Sequence, residues 1–574
     1  MEETENHERT KLNIGKNIDD ADDEVPYDDL LTSAGDFGLY QMILFISSFP
    51  FYLFAVFSYF DQMFITEVSP NHWCNIPELQ NLSEIQRRRL AIPLEANSKF
   101  GYSRCSAYVA NWTEVLASGR TVPDPTWPIE PCRFGWEFNI SEIPYRTIAS
   151  ELGWVCDKDS YQATAQSIFF VGSIAGGFVM GWISDRFGRL PGAAASNVMG
   201  AIGGIASIFA KDFAQFAVCR FFMGMSWDNS MMMTYLLMLE YVAPKYRTLL
   251  ANLPFALFYT TGVCSLPWIA LACNDWRLLS LVTCIPMSFA IFAPYLMPES
   301  AMWLISVGRA EEAIKQVQRI AQVNKKEVTP QLIEQFRAGL LKQTVRPKSS
   351  IVDVLKRPVL RKMFICLCLA YMCCNIAFDA LVRSLGQLNF DLFTSFSIVS
   401  ITEFFSLSTV SLVLDLTGRK WLSVVTFVIV CVFSVLTTLL GGGVGSVICA
   451  VLARYSVNMN INIGWQWGAE MFPTGVRATA MSIIHTCGYV ATVISPMIVY
   501  LEIYYSWLPL VIVGCLAGFG ALVILGLPET AGKEMPQTFN DAETLFKNAK
   551  FFEVPFLMKK QTNLEVRRKK LLRE

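Results

Sequence analysis

The chain has 574 residues, 53% of them hydrophobic and 17% charged, against about a quarter charged in an ordinary soluble domain. Twelve apolar runs, each near the ~20 residues needed to cross ~30 Å of hydrocarbon, exclude a soluble globular protein and a nucleic-acid partner. The formal net charge of −2 excludes little, because the charges are unevenly spread.

In chain order, an acidic N-terminal tail (1–39) precedes a first span at 40–60. A long loop (61–160) follows, then the second to sixth spans within 161–297, a central connection (298–362), the seventh to twelfth spans within 363–527, and a C-terminal tail (528–574). The twelve runs start near Gln41, Gln162, Leu190, Ala214, Thr248, Leu278, Met363, Phe393, Trp421, Val447, Ala478 and Leu508. Arg186, Arg189, Lys245, Arg247, Arg419, Lys420 and Arg477 lie in alternate short connections, with the basic stretch Arg309 to Lys362 on the same side. Excess cations mark the cytoplasmic side, so both tails are expected inside. No cleavable signal peptide is recognisable, and the first span is expected to act as an uncleaved signal anchor.

The loop 61–160 then faces outward. It holds the sequons Asn81-Leu-Ser, Asn111-Trp-Thr and Asn139-Ile-Ser, so Asn81, Asn111 and Asn139 are expected to be glycosylated. It also holds Cys74, Cys105, Cys132 and Cys156, an even count in an oxidising compartment. Two disulfides are expected, with three connectivities open. The remaining cysteines read as small apolar packing residues, and no metal-ligand spacing appears. In the central connection, Ala310 to Gln322 and Pro330 to Lys342 show helical apolar spacing and are expected to lie on the membrane surface. The Arg567-Arg568-Lys569-Lys570 cluster reads as a solvated or headgroup-facing face.

Four charged positions recur at one offset. Asp185 and Asp415, Glu240 and Glu470, Arg247 and Arg477, and Glu299 and Glu529 are each 230 residues apart, 415 − 185 for example. Asp185-Arg-Phe-Gly-Arg189 answers Asp415-Leu-Thr-Gly-Arg419, and Pro298-Glu-Ser answers Pro528-Glu-Thr. A duplicated membrane unit is the usual build of a secondary transporter. Asp185, Arg186, Arg189, Glu240, Arg247, Asp415, Arg419, Glu470 and Arg477 are therefore candidates for a cytoplasmic gate. Their charges are expected to pair between helices as the two halves close and to separate as they open.

The Asp-Arg-x-Gly-Arg word and the Glu-x6-Arg pairs resemble the major facilitator superfamily. Within it the chain is similar, over nearly its whole length, to the organic cation, carnitine and organic anion transporter family of solute carriers. The residues that carry this are Asp36-Phe-Gly, Pro70-Asn-His-Trp-Cys74, Trp154-Val-Cys-Asp157, Tyr235 with Leu239-Glu-Tyr241, Pro298-Glu-Ser with Trp303-Leu304, and Glu470-Met-Phe-Pro-Thr474 with Arg477. Ala301 and Met302 depart from the family's usual Pro and Arg. The resemblance implies an all-α polytopic membrane protein with the major facilitator fold, twelve transmembrane helices in two six-helix halves. It implies a multi-pass plasma-membrane location.

Charges inside a membrane span are costly and mark function by default. Asp228 sits half-way along the fourth span and Asp379 in the seventh. Two such carboxylates favour a cation, with Tyr235, Phe378, Trp465 and Trp467 available as cation–π faces worth ~0.5 to 2 kcal/mol each. Against this, Asp379 and Arg383 are four apart and can pair on one helix. By the resemblance, Asp228 stands where many cation carriers have lysine, and Phe378 and Asp379 lie where an aromatic residue often lines the cavity. Asn462 matches a cavity-associated position. Tyr489 stands where cation carriers often have aspartate and anion carriers arginine, which removes that discriminator. His485, one turn before it, can titrate or pack as a neutral ring.

These readings converge on a secondary transporter rather than an enzyme. The expected substrates are small organic cations or zwitterions: quaternary ammonium, carnitine-like or biogenic-amine-derived compounds such as carcinine. The expected mechanism is alternating access, and no cofactor is expected. The lipid bilayer and the small organic ion are the partners, with a coupled ion left open. An organic anion carrier of the same family is the alternative, and from another class a non-transporting receptor or sensor on the carrier fold.

Overall fold

A computed structural model of the protein describes residues 27–95, 101–139, 143–342, 351–384, 392–533, 535–536, 538–547 and 551–552. The basic cluster at 567–570 lies outside them. Each of the twelve predicted runs falls on a helix. The first six spans are Leu39–Ile65, Ser160–Phe187, Arg189–Ser207, Phe213–Glu240, Lys245–Cys273 and Trp276–Leu296. The second six are Pro358–Arg383, Leu392–Thr417, Arg419–Leu439, Val444–Met471, Gly475–Ile503 and Leu508–Ile524. Among the described residues nine helices are long and apolar enough to cross a membrane on length and composition alone, and Leu508–Ile524 is a shorter apolar one. The third and fourth spans are rich in small and polar residues because they bury much of their surface in protein rather than lipid.

The end of the bundle that carries the repeated charges is here the motif face, and the end that carries the long loop is the loop face. At the motif face the second and third spans turn at Gly188 with φ +119°, and the eighth and ninth at Gly418 with φ +86°. That backbone region disfavours residues with a Cβ, which is why both copies of the word keep the glycine. In the fifth span a wide π-type turn over Phe255–Tyr259 follows Pro254, whose ring denies the ladder one donor.

The long loop is a small folded unit. Its disulfides are Cys74 with Cys132 and Cys105 with Cys156, which settles the three open connectivities. Two antiparallel strand pairs, His72–Cys74 with Trp136–Phe138 and Ser106–Tyr108 with Ile129–Pro131, frame it. Trp73, Leu79, Leu90 and Trp112 fill its core. Asn81 and Asn111 are exposed and Asn139 is half-buried.

Two expectations need correction. The first span was expected to end at residue 60, yet the helix continues to Ile65 and carries Asp61 inside it. The amphipathic helices, observed at Ala310–Val323 and Pro330–Lys342, do not spend their apolar faces on lipid. Ala313, Ile314, Val317, Ile320 and Phe336 pack with Leu30 and Leu31 of the Tyr27–Ser33 helix and with Tyr241 and Trp303 of the first half. Protein contact removes the same apolar area from water that a membrane surface would.

The halves share one core and keep two others apart. Toward the loop face Phe60, Phe64, Phe169 and Phe216 of the first half join Val382, Phe393, Phe396 and Val399 of the second. Toward the motif face each half has its own cluster, one around Leu190, Leu237 and Trp303, the other around Leu360, Val457 and Trp467. The halves are thus packed together toward the loop face, while toward the motif face each packs on its own core.

Candidate functional site

At mid-bundle, where the shared core stops, the fourth span presents Asp228 to the eleventh. The Tyr489 hydroxyl donates to Asp228 Oδ1 at 2.7 Å, and His485 Nε2 lies 3.6 Å from Asp228 Oδ2. His485 Nε2 is also 2.6 Å from the Tyr489 oxygen, and its Nδ1 is 3.3 Å from the Tyr371 hydroxyl on the seventh span. His485 and Tyr489 are four apart on one helix, so they project from the same face. The Asp228 and His485 side chains keep 16% and 18% of their surface accessible, so the carboxylate is held by protein without being fully covered.

Aromatic rings surround it. Trp227 meets Tyr489 edge to face at 5.3 Å and stacks on Tyr59 at 4.7 Å. The Trp465 ring is 4.8 Å from His485. Tyr235, two turns toward the motif face, packs its edge on Phe255 at 6.0 Å and remains half-buried. Asn462 donates to Asn458 O at 2.8 Å and is half-buried.

Other predicted residues lie elsewhere. Asp379 is 1% exposed, both its oxygens accept from Arg383 Nε at 3.0 and 2.9 Å, and Tyr59 donates to it at 2.6 Å. The same-helix pair weighed from the sequence forms, and it cancels the charge. The Phe378 ring is covered by the Arg454 guanidinium at 3.6 Å from its centroid, so an internal cation already uses that face. Trp467 is 1% exposed and donates its Nε1 to Pro528 O at 3.1 Å. It is a packing strut rather than a cation–π face.

Three features escaped the sequence reading. Asp61 and Arg220 meet at 3.7 Å with both side chains 1% exposed, the guanidinium also lying over the Phe169 ring at 4.9 Å. Glu403 and Arg454 pair at 2.7 Å between the eighth and tenth spans. His485 and Tyr489 reach Asp228 across 261 positions for the tyrosine. The signal for the first two was a lone charge within an apolar run.

The repeated charges form a network inside each half. Asp185 pairs with Arg189 at 2.8 Å, and Asp415 with Arg419 at 2.9 Å. Arg419 also pairs with Glu470 at 2.8 Å. The Glu299 carboxylate accepts from the backbone N–H of Arg189 and Leu190 at the start of the third span. Glu529 repeats this at Arg419 and Lys420 of the ninth. Each is an acid at a helix N-terminus, where orphan N–H groups and the dipole favour it. Burial pushes the Glu299 carboxyl up from its ordinary value, and the N–H donors oppose that. Ser300 donates to Glu240 and Thr530 to Glu470. Arg247 binds Asp28 of the Tyr27–Ser33 helix rather than Glu240. Arg477 binds the carbonyls of Phe472 and Pro536, and Arg186 is exposed. All of these bonds join groups within one half.

The comparisons with known proteins agree with this architecture. The family described as Sugar (and other) transporter matches residues 131–541. Among curated proteins, the carcinine transporter of Drosophila melanogaster is 29% identical, over 96% of this chain and 83% of its own length. Organic cation transporter 1 of Caenorhabditis elegans is 26% identical over 91% of this chain and 89% of its own. Organic anion transporter 3 of Oryctolagus cuniculus is 26% identical over 91% and 95%. The inward-open xylose transporter XylE of E. coli shares the fold with a TM-score of 0.58, 15% identity, 88% of this chain and 99% of its own. The chain belongs to the sugar (and other) transporter family of the major facilitator superfamily, a multi-pass membrane transporter whose relatives carry organic cations and anions.

Proposed function

We propose that the protein carries small organic cations or zwitterions across the plasma membrane by alternating access, with Asp228 as the charge that selects them. The loop face is taken as extracellular and both termini as cytoplasmic, from the cation bias of the connections and the three sequons. A core shared by the halves at the loop face, with separate cores at the motif face, then supports an inward-facing state. The observation that carries the reading is the partly accessible Asp228 carboxylate, bonded to Tyr489 and beside His485, with Trp227 packed on that tyrosine and Trp465 on that histidine. A quaternary ammonium or amine fits that combination of carboxylate and ring faces, each ring worth ~0.5 to 2 kcal/mol. Compensation of Asp379 by Arg383 narrows the candidate selector to one carboxylate. The protein does no chemistry on its cargo. The names of the carcinine transporter and Organic cation transporter 1 support this choice, while Organic anion transporter 3 keeps the anion carrier as the alternative.

The motif-face networks are proposed to keep each half rigid as it rocks, and to bias the balance of states by re-pairing when the motif ends meet. Asp228→Asn keeps the shape and removes the charge. At equal surface expression it is expected to cut uptake of a labelled quaternary ammonium ion by about 10- to 100-fold, the loss of one charge-assisted interaction of ~1.5 to 3 kcal/mol. Wild-type uptake by that variant removes Asp228 from the site.

A further inference from the structure

We propose that the loop face carries a second binding site, separate from Asp228: a cavity of about 400 Å³ beneath the long loop takes a small zwitterion, whose ammonium meets Glu67 and whose carboxylate meets Arg146. That volume lies in the ordinary range of small-molecule sites. Glu67 follows the end of the first span, Phe138, Tyr145 and Arg146 come from the long loop, and Asn274 and Asp275 from the connection between the fifth and sixth spans. Arg146 and Asn274 are exposed, so the cavity reaches the surface there. Its walls are tied together: the Tyr145 hydroxyl donates to the Phe64 carbonyl at 3.1 Å, and the Trp276 N–H to the Arg146 carbonyl at 3.2 Å. Walls held before a ligand arrives lower the ordering cost of binding.

The partners of each charge decide what is left for a ligand. Asp275 spends its carboxylate on the N–H groups of Arg277 and Leu278, at 2.8 and 3.2 Å, where it caps a helix. Glu151, the acid that acts on Arg146, is gripped by both end nitrogens of Arg277 at 2.6 and 2.8 Å. Glu67 makes no hydrogen bond or ion pair among the described residues. The cation that faces it, Arg383, is bonded to Asp379 instead. Burial and the nearby Glu502 push the Glu67 carboxyl up to about 7 against the pull of Arg383, as expected of an acid short of positive charge. The Arg146 guanidinium is likewise without an ion pair among the described residues. A ligand ammonium supplies the charge that Glu67 lacks, and a planar guanidinium matches a carboxylate. An ammonium alone leaves Arg146 unused and a carboxylate alone leaves Glu67 unused, whereas a zwitterion engages both. Among the described residues no group of three or more acids, imidazoles or thiols is placed to hold a metal ion. The cavity is distinct from the mid-bundle site. Tyr59, stacked on Trp227 next to Asp228, precedes Glu67 by eight positions (67 − 59), roughly 12 Å along a helix axis, with the shared-core rings of Phe60 and Phe64 between them.

The test uses the purified full chain in nanodiscs, titrated with labelled carnitine as the zwitterion. Wild type is expected to bind two carnitine molecules per chain, and Asp228→Asn one. Glu67→Gln and Arg146→Gln should each weaken the site that Asp228→Asn leaves by about 10- to 100-fold, the loss of one charge-assisted contact, and leave the Asp228-dependent site unchanged. Tetraethylammonium, which has no carboxylate, should displace carnitine from the Asp228-dependent site alone. Arg146 is exposed, so Arg146→Gln decides the matter even where Glu67→Gln does not fold. A single class of binding that Asp228→Asn abolishes and Arg146→Gln leaves intact overturns the loop-face site while leaving Asp228 as cation selector. A single class that survives Asp228→Asn and is lost in Arg146→Gln upholds the loop-face site and overturns the reading of Asp228 instead. Residual binding in Asp228→Asn that neither Glu67→Gln nor Arg146→Gln weakens also overturns the loop-face site.

Discussion

At the scale of single residues, the buried charges divide by whether a protein partner has used them up. Glu403 and Arg454 are 8% and 1% exposed and bonded at 2.7 Å, so they fix the eighth span to the tenth and offer nothing to cargo. Removing one partner of a buried pair costs about 3 to 5 kcal/mol, because the other charge stays buried alone. Glu403→Gln is therefore expected to lower the detergent melting temperature by several degrees or more. Replacing both residues by leucine and methionine should cost less than either single change. Equal melting of wild type and Glu403→Gln would show the pair to be energetically idle. Asp228 differs because its partners are a tyrosine hydroxyl and a histidine ring rather than a guanidinium, and its side chain keeps 16% of its surface accessible. Sequence located it, since a lone aspartate in an apolar run needs no structure to stand out. It could not show that His485 and Tyr489, weighed separately as a pH-tuning group and a neutral ring, share that carboxylate. That proximity belongs to the packing of two halves, and no local pattern encodes it.

At the scale of helices, small residues decide how closely spans approach. A Cβ at Gly224 would overlap the Phe169 carbonyl, and one at Gly172 the Phe221 carbonyl, so the second and fourth spans touch backbone to backbone. Such small-residue seams replace the hydrophobic drive that is missing in lipid. Gly224→Ala is expected to destabilise the protein by about 1 to 3 kcal/mol through overpacking, read as a lost monodisperse fraction in size-exclusion. Gly177→Ala, whose Cβ would meet open space, is the control and should behave as wild type. Span starts were legible because charged connections bracket apolar runs. The end of the first span was not, because Asp61 looks like an exit from the membrane until Arg220 is seen beside it. The amphipathic pattern in the central connection was legible as helices, but a protein surface and a lipid surface demand the same pattern. Only the packed partners Leu30, Tyr241 and Trp303 separate the two.

At the scale of the whole molecule, the 230-residue repeat and the candidate selector separate cleanly. The repeat reappears as two copies of one structural device. In each, an acid of the Pro-Glu word caps a helix, at Arg189 in the first half and Arg419 in the second, while a hydroxyl binds the neighbouring glutamate. Asp228 has no counterpart at that offset, since position 458 is an asparagine. On the proposed function, shared machinery at the motif face moves the halves, and an unshared carboxylate between them selects the cargo. The measurement that tests this most directly is a labelled uptake panel of a quaternary ammonium, a carnitine-like zwitterion and an organic anion, run in proteoliposomes at two membrane potentials. Accumulation of the quaternary ammonium, blocked by excess unlabelled cation but not by the organic anion at either potential, is the predicted result. Accumulation of the anion, slowed when the interior is negative, or saturable binding with no accumulation of any of the three, would contradict it.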